Sequence, residues 1–332
     1  MGLLKVKNNK QTISRCMIKG KHMIKTNRHA YLIIAFNNWP VLEKLIRLLD
    51  HERNDIYIHI NSAINDFDFE YFQEIAKKSK VYYTERFHTE WGTPRLMVAQ
   101  MYFLQMAHGI ENYQYYHVIS GACMPLKTQK EIHEFFDKNN GKEFIHFTCP
   151  PPLEKRIYER YQYDHRFHKH IRENSVVKRI LFGVIAEKIY VGIQKLLKVD
   201  RQKNNPYELC FGSSWFSITD EFAFHILEHW DYLLESFKHT FAPDETYVQT
   251  LAYNSKFKDR LYYDKMDDNY TACMRYIDWN RGNPYTFTMN DYEELMNCGC
   301  LFARKFDLKT KEQRKIVDRI YEELMERQER GE

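Results

Sequence analysis

Glycine and proline are scarce, at 12 and 9 in 332 residues, which excludes collagen-like and low-complexity chains. No apolar run is long enough to span a bilayer, because Lys, Arg or Glu interrupts each one, and the mean hydropathy is −0.63. The chain has no Gly-x-Gly-x-x-Gly and no Walker loop, which removes the commonest dinucleotide and P-loop functions. Cysteine is few, odd in number and scattered: Cys16, Cys123, Cys149, Cys210, Cys273, Cys298 and Cys300. That pattern is no disulfide framework and fits free thiols in a reducing compartment. Cys298 and Cys300 lie close, but no second pair stands at ligand spacing, which argues against a cysteine zinc site. Internal repeats are absent.

Aromatic residues are plentiful, with 24 Tyr and 22 Phe, so the chain has much to bury or to stack on a ligand. At about 150 residues per domain, the length allows one large domain or two small ones. The net charge of +4 hides an asymmetry. Residues 1–28 carry Lys5, Lys7, Lys10, Arg15, Lys19, Lys21, Lys25 and Arg28 with no acid, so the remainder carries −4, the difference between +4 and +8. A weakly acidic body is not a nucleic-acid surface. The head reads as a basic tail suited to anionic lipid, or in part as sequence upstream of a start at Met17 or Met23, and it lacks the continuous apolar core of a signal peptide.

Hydrophobic patterning becomes regular from Ala30. Residues 31–36 form an uninterrupted apolar run, as expected of a strand buried on both faces. A broad apolar stripe over 41–49 predicts a helix. Strands are predicted at 56–60, 81–84 and 115–119, with a helix near 94–108 and a turn over 120–125. This alternation predicts an α/β fold with a mainly parallel central sheet flanked by helices. Such sheets bind ligands at the carboxyl ends of their strands, which brings Phe36, Asn37, Asn61, Ser120, Gly121 and Cys123 to one crevice.

Residues 151–205 break the rhythm and read as a helical insertion. Within it, 158–172 is aromatic and basic. Residues 176–199 are helical and apolar, bordered by Lys178, Arg179, Lys188, Lys195 and Lys198. Such a helix suits a membrane interface, and it suits equally a core helix or a dimer contact. Beyond it, 210–216 reads as strand and turn, 220–236 as a helix and 243–251 as another. Residues 274–277 are β-like, 301–307 form a strand or turn, and 310–330 make a charged terminal helix.

Two features carry chemistry. Pro243, Asp244 and Glu245 open a predicted helix; capping against the helix dipole explains one carboxylate, and the second suits a general base. Arg275, Arg304 and Lys305 sit among apolar and aromatic neighbours. Shielded cations suit a diphosphate, although ion pairs to Asp278 or Asp307 are an equal reading. Asp66-Phe67-Asp68 has the spacing of a divalent-metal clamp but lies several residues beyond Asn61, so no metal is expected. Trp91 and Trp215 are candidates to stack on sugar faces, or are core aromatics.

Taken in order, residues 29–61, Trp91 with Gly92, and residues 120–127, 212–216, 243–250, 275–281 and 301–307 resemble the core-2/I-branching β-1,6-N-acetylglucosaminyltransferase family. That family also contains the peptide O-xylosyltransferases. Arg275, Trp279, Asn280 and Arg281, with the Phe-Ala-Arg-Lys-Phe run from Phe302 to Phe306, resemble that branch most. The resemblance implies a GT-A-like (Rossmann-like) nucleotide-sugar fold as a single domain over 29–330, inversion at the anomeric carbon and no metal cofactor. By motif it implies Glu245 as the catalytic base, Arg275 and Lys305, with Arg304, on the donor diphosphate, and the first strand end with Asn61 at the nucleoside edge. Ser120, Gly121 and Cys123 then face the donor, and Trp91, Ser214, Trp215 and Asp244 the acceptor.

Three positions depart from the family pattern, which has Asp where Asn61 and Cys123 stand, and, in the xylosyltransferase branch, where Ser214 stands. The first two leave the donor sugar open; the third leaves Glu245 as the stronger base. The expectation is a bacterial-type enzyme moving GlcNAc, or alternatively xylose or another sugar, from a UDP-sugar to a glycan or lipid-linked glycan. Surface polysaccharide or glycolipid synthesis in the cytoplasm, or at the inner face of the cell membrane, is the expected setting. The alternatives are a degenerate member that binds a glycan or nucleotide without transfer, and a peripheral membrane assembly protein using 176–199.

Overall fold

A computed structural model describes residues 26–171 and 175–332; most of the basic tail therefore lies outside the described residues. Its strands are β1 (His29–Ala35), β2 (Asn54–Ile60), β3 (Lys80–Tyr83), β4 (Tyr115–Ser120), β5 (Cys123–Pro125), β6 (Phe216–Thr219), β7 (Arg275–Ile277) and β8 (Phe302–Arg304). The central sheet has the order β3-β2-β1-β4-β6, with β1 to β4 parallel and β6 antiparallel at the edge. A second sheet, β5-β8-β7, is smaller.

Every residue of β1 is buried because successive side chains enter different cores. Ala30, Leu32 and Ile34 join one cluster with Met101, Phe103 and Val248. Tyr31, Ile33 and Ala35 join the opposite one with Leu42, Leu45 and Phe136. Full burial of each such aliphatic side chain is worth about 1.5–3 kcal/mol. The helix Trp39–Leu49 uses both edges of its stripe: Leu42, Leu45, Ile46 and Leu49 lie on the sheet, while Val41 and Leu48 meet Phe306, Ile316 and Ile320 in a third cluster. The terminal helix Lys311–Glu329 is fixed in this third cluster and opens on a Thr310–Gln313 capping box.

Three expected elements differ. Of the 210–216 region only Phe216 pairs as a strand, at the start of β6. The stretch before it bonds outward instead, Cys210 N to Thr250 Oγ1 and Gly212 N to the Glu245 carbonyl. The predicted helix at 220–236 divides into Asp220–Glu228 and Trp230–Phe237. The predicted helix from 243 is a single tight turn, Pro243–Glu245, separated from Tyr247–Tyr253 by Thr246 at φ −138°.

The insertion carries the largest surprise. Val176–Lys178, Arg179–Ala186 and Glu187–Leu196 form one helical stretch whose middle eight residues are π-wound. Its apolar residues point outward: Ile180 is 48% exposed, Ile189 59% and Leu196 84%. Gly183, Glu187 and Gln194 face inward instead. The core-helix reading of 176–199 is thereby corrected, for the packed face is polar. Gln194 makes a two-way exchange with the Asp164 backbone, its Oε1 accepting from N and its Nε2 donating to O, each at 2.9 Å. No helix among the described residues is long and apolar enough to cross a membrane.

Candidate active site

The parallel strands end together, Ala35 beside Ile60 and Ile34 beside Ser120, so their carboxyl ends share one edge. Phe36 and Asn37 are exposed there. Asn61 is buried and occupied: its Nδ2 donates to the Thr89 carbonyl at 2.6 Å, and its Oδ1 accepts from the Ala63 amide at 3.0 Å. It therefore braces the loop leading to Trp91. That loop is also held at its far end, where the Ala242 amide donates to the Gly92 carbonyl at 2.9 Å. Trp91 is exposed and meets Phe241 edge-on, with ring centroids 5.3 Å apart.

The acidic pair stands on a strained turn. Ala242 occupies the left-handed region at φ 49°, a conformation that costs about 1–2 kcal/mol for a residue with a Cβ. The turn is clamped by its neighbours: Gly212 N donates to the Glu245 carbonyl at 2.9 Å, and a Cβ on Gly212 would overlap the His146 carbonyl. Gln249 then ties the Ser213 and His146 carbonyls together. Backbone strain of this kind clusters at functional sites in proteins generally, which makes this turn a candidate position.

Asp244 is buried; Ser214 Oγ donates to its Oδ2 at 2.6 Å, and its Oδ1 has no hydrogen-bond partner among the described residues. Glu245 is partly open, and Arg160 Nη1 donates to its Oε2 at 3.0 Å. Burial and the adjacent Asp244 charge raise the pKa of Glu245, against a downward pull from Arg160 and Arg304. Burial likewise raises Asp244, while the Ser214 hydrogen bond and the same two cations oppose it. The site is thus two crowded carboxylates facing two guanidinium groups.

Arg304 lies on the Trp215 ring, 4.6 Å from its centroid, and its Nε has no hydrogen-bond partner among the described residues. Strand pairing sets it opposite Cys123 and Ile277. Arg160 is sandwiched between Phe211 and Phe241, 5.0 and 5.2 Å from their centroids. Stacking of this kind holds a guanidinium in place without consuming all its donors. Lys305 is half-buried beside Asp307, and its carbonyl accepts from the Phe287 amide at 3.0 Å.

Arg275 is placed differently from Arg304. It is 1% exposed, and its guanidinium donates to Ser217 Oγ at 2.9 Å, to the Phe216 carbonyl at 2.7 Å and to the Cys273 carbonyl. It forms no ion pair with Asp278, which is held by Arg281; Asp307 pairs with Lys309. Ser120 and Cys123 are buried together, with Oγ and Sγ 3.3 Å apart, and Gly121 packs against Ala35. Asp68 caps the helix Phe69–Glu74 by accepting from the Tyr71 amide, so the Asp66–Asp68 spacing reflects a helix start.

Sequence reasoning missed Arg160, Phe241 and Tyr270. Arg160 stands 85 residues before its partner Glu245, and only the aromatic-basic character of its stretch drew attention to it. Tyr270 interacts electrostatically with both Glu245 and Arg304, and it also lines a cleft of about 550 Å³ with Asn269, Asn280 and Arg281.

A model of the Core-2/I-Branching enzyme family matches residues 29–297. That span contains Asp244, Glu245 and Arg275 and stops short of Arg304. Comparison with curated protein sequences gives no match. Among solved structures, mouse xyloside xylosyltransferase 1 in its apo form is similar at 13% identity and a TM-score of 0.33, over 82% of this chain and 96% of that one.

Proposed function

Because this chain belongs to the Core-2/I-Branching enzyme family and is a glycosyltransferase, we propose that it moves a sugar from a UDP-sugar to a glycan hydroxyl, with inversion and without a metal cofactor. GlcNAc is the first donor sugar to test, with xylose or another sugar as alternatives. The observation that carries this reading is the acidic pair set against Arg304 and Arg160 in one crevice.

Glu245 accepts the proton of the acceptor hydroxyl as that oxygen attacks the anomeric carbon. Arg160 engages one carboxylate oxygen and fixes the side chain, leaving the other for the substrate. A raised carboxylate pKa makes a stronger base at neutral pH, and a positioned base contributes about 10²–10⁴-fold. Asp244, whose Oδ1 is unpartnered among the described residues, and Ser214 orient the acceptor, with Trp91 and Trp215 as sugar-stacking faces. Phe36 and Asn37, exposed at the strand ends, form the donor edge, supported from beneath by the buried Asn61, Ser120, Gly121 and Cys123. Arg304 and Lys305 neutralise the departing diphosphate, where fixed cations act most strongly in the transition state. Arg275 contributes its charge from beneath and fixes the carbonyls of β4 and β6. Glu245→Gln is expected to lower transfer by at least 10²-fold and leave UDP affinity within about twofold; retained turnover would remove Glu245 as the base.

The acceptor is proposed to be a glycan carried on lipid, met at the cytoplasmic face of a membrane. The outward apolar face of 176–197, fringed by Lys178, Arg179, Lys188 and Lys195, supports this partner. Each cation near an anionic bilayer adds about 1 kcal/mol of attraction. The six described cysteines are all free thiols, which supports a reducing compartment.

A further inference from the structure

At the root of the insertion, Glu187 is enclosed by two imidazoles. Gly183 lets the helical stretch approach this closely, since a Cβ there would lie 2.8 Å from the His170 carbonyl oxygen. One turn on, Glu187 Oε1 lies 2.7 Å from His165 Nδ1 and 3.3 Å from His168 Nδ1, and its Oε2 accepts from the Phe167 amide at 2.9 Å. The second ring nitrogen of His165, Nε2, lies 3.2 Å from the Glu159 carbonyl oxygen. Both His165 nitrogens therefore face acceptors, and a neutral imidazole has only one N–H to give. A cation at Nδ1 resolves the conflict: the lone pair goes to the metal and Nε2–H donates to the carbonyl, the usual outer-shell arrangement of a metal-bound histidine.

We propose that His165, His168 and Glu187 bind one Zn²⁺ ion, with water completing the coordination. The three ligand atoms lie within 4.8 Å of one another, and two imidazole nitrogens with one carboxylate oxygen are a common zinc ligand set. The ion takes no part in sugar transfer. It clips the insertion helix to the 165–168 turn, and His168 rests on Phe241, with ring centroids 3.9 Å apart. The clip thereby sets the wall on which Arg160 is stacked.

The test uses the full chain, stripped of metal by chelator, dialysed and titrated with Zn²⁺ or Co²⁺. One zinc per chain by elemental analysis is expected, with a four-coordinate Co²⁺ visible spectrum lacking thiolate charge-transfer bands. Zinc should raise the melting temperature of the unaltered protein and not that of His165→Ala/His168→Ala. No stoichiometric zinc, a thiolate spectrum pointing to cysteine, or undiminished binding in the double variant would overturn the proposal. Should the double variant fail to fold, the metal count and cobalt spectrum of the unaltered chain decide the matter.

Discussion

The parallel sheet and the insertion obey opposite rules. In β1 every side chain is buried, and apolar residues fill both cores. In the insertion the apolar side chains face outward, while Gly183, Glu187 and Gln194 face the protein. Apolar surface costs about 25 cal/mol per Å² to leave in water, and contiguous exposed apolar patches are typical of interaction surfaces. The sheet is stabilised from within the chain; the insertion leaves its apolar face open.

This contrast can be broken most directly by stability. Leu32→Ala, at the centre of the sheet, should cost about 2–5 kcal/mol in chemical denaturation. Ile180→Ala on the insertion should cost less than about 0.5 kcal/mol. Equal losses would show that the insertion face is packed after all.

The nature of the partner is sharpened next. The full chain should float with vesicles containing anionic phosphatidylglycerol and bind neutral phosphatidylcholine more weakly, with the difference shrinking at high salt. Ile180→Glu with Leu181→Glu should weaken vesicle binding by at least about tenfold, or 1.4 kcal/mol, with an unchanged melting temperature. No flotation, together with a dimer that the same substitutions dissociate, would assign the face to a second copy of the chain.

Arg160 joins the two regions and gives the smallest effect. Glu245 must be ionised to act as base, so activity rises with pH through its pKa, and Arg160 pulls that pKa down. Arg160→Ala should therefore shift the acid limb of the pH–rate profile upward, by about one unit for a lost ion pair. An unmoved limb would detach Arg160 from the base.

The same contrast explains what could be read from sequence. The strands around β1 and their mainly parallel arrangement were legible because continuous apolar runs mark strands buried on both faces. The insertion's helix was also legible, since period alone shows a helix, but not its orientation, because an apolar stripe does not say which side meets the protein. At the site, the helix-start signature exposed Asp244 and Glu245. Arg160 remained hidden because nothing local links it to a residue 85 positions away. Arg275 and Arg304 looked alike in sequence, flanked by apolar residues; strand register separates them, enclosing the first beneath carbonyls and laying the second on Trp215.

In the proposed mechanism protein cations, rather than a metal, meet the donor diphosphate. Calorimetric titration of UDP into the unaltered protein and into Arg304→Ala, each with and without Mn²⁺, tests this most directly. UDP should bind the unaltered protein equally well with and without Mn²⁺, and Arg304→Ala should weaken binding by about tenfold, or 1.4 kcal/mol. UDP binding that requires Mn²⁺ and ignores Arg304 would contradict it.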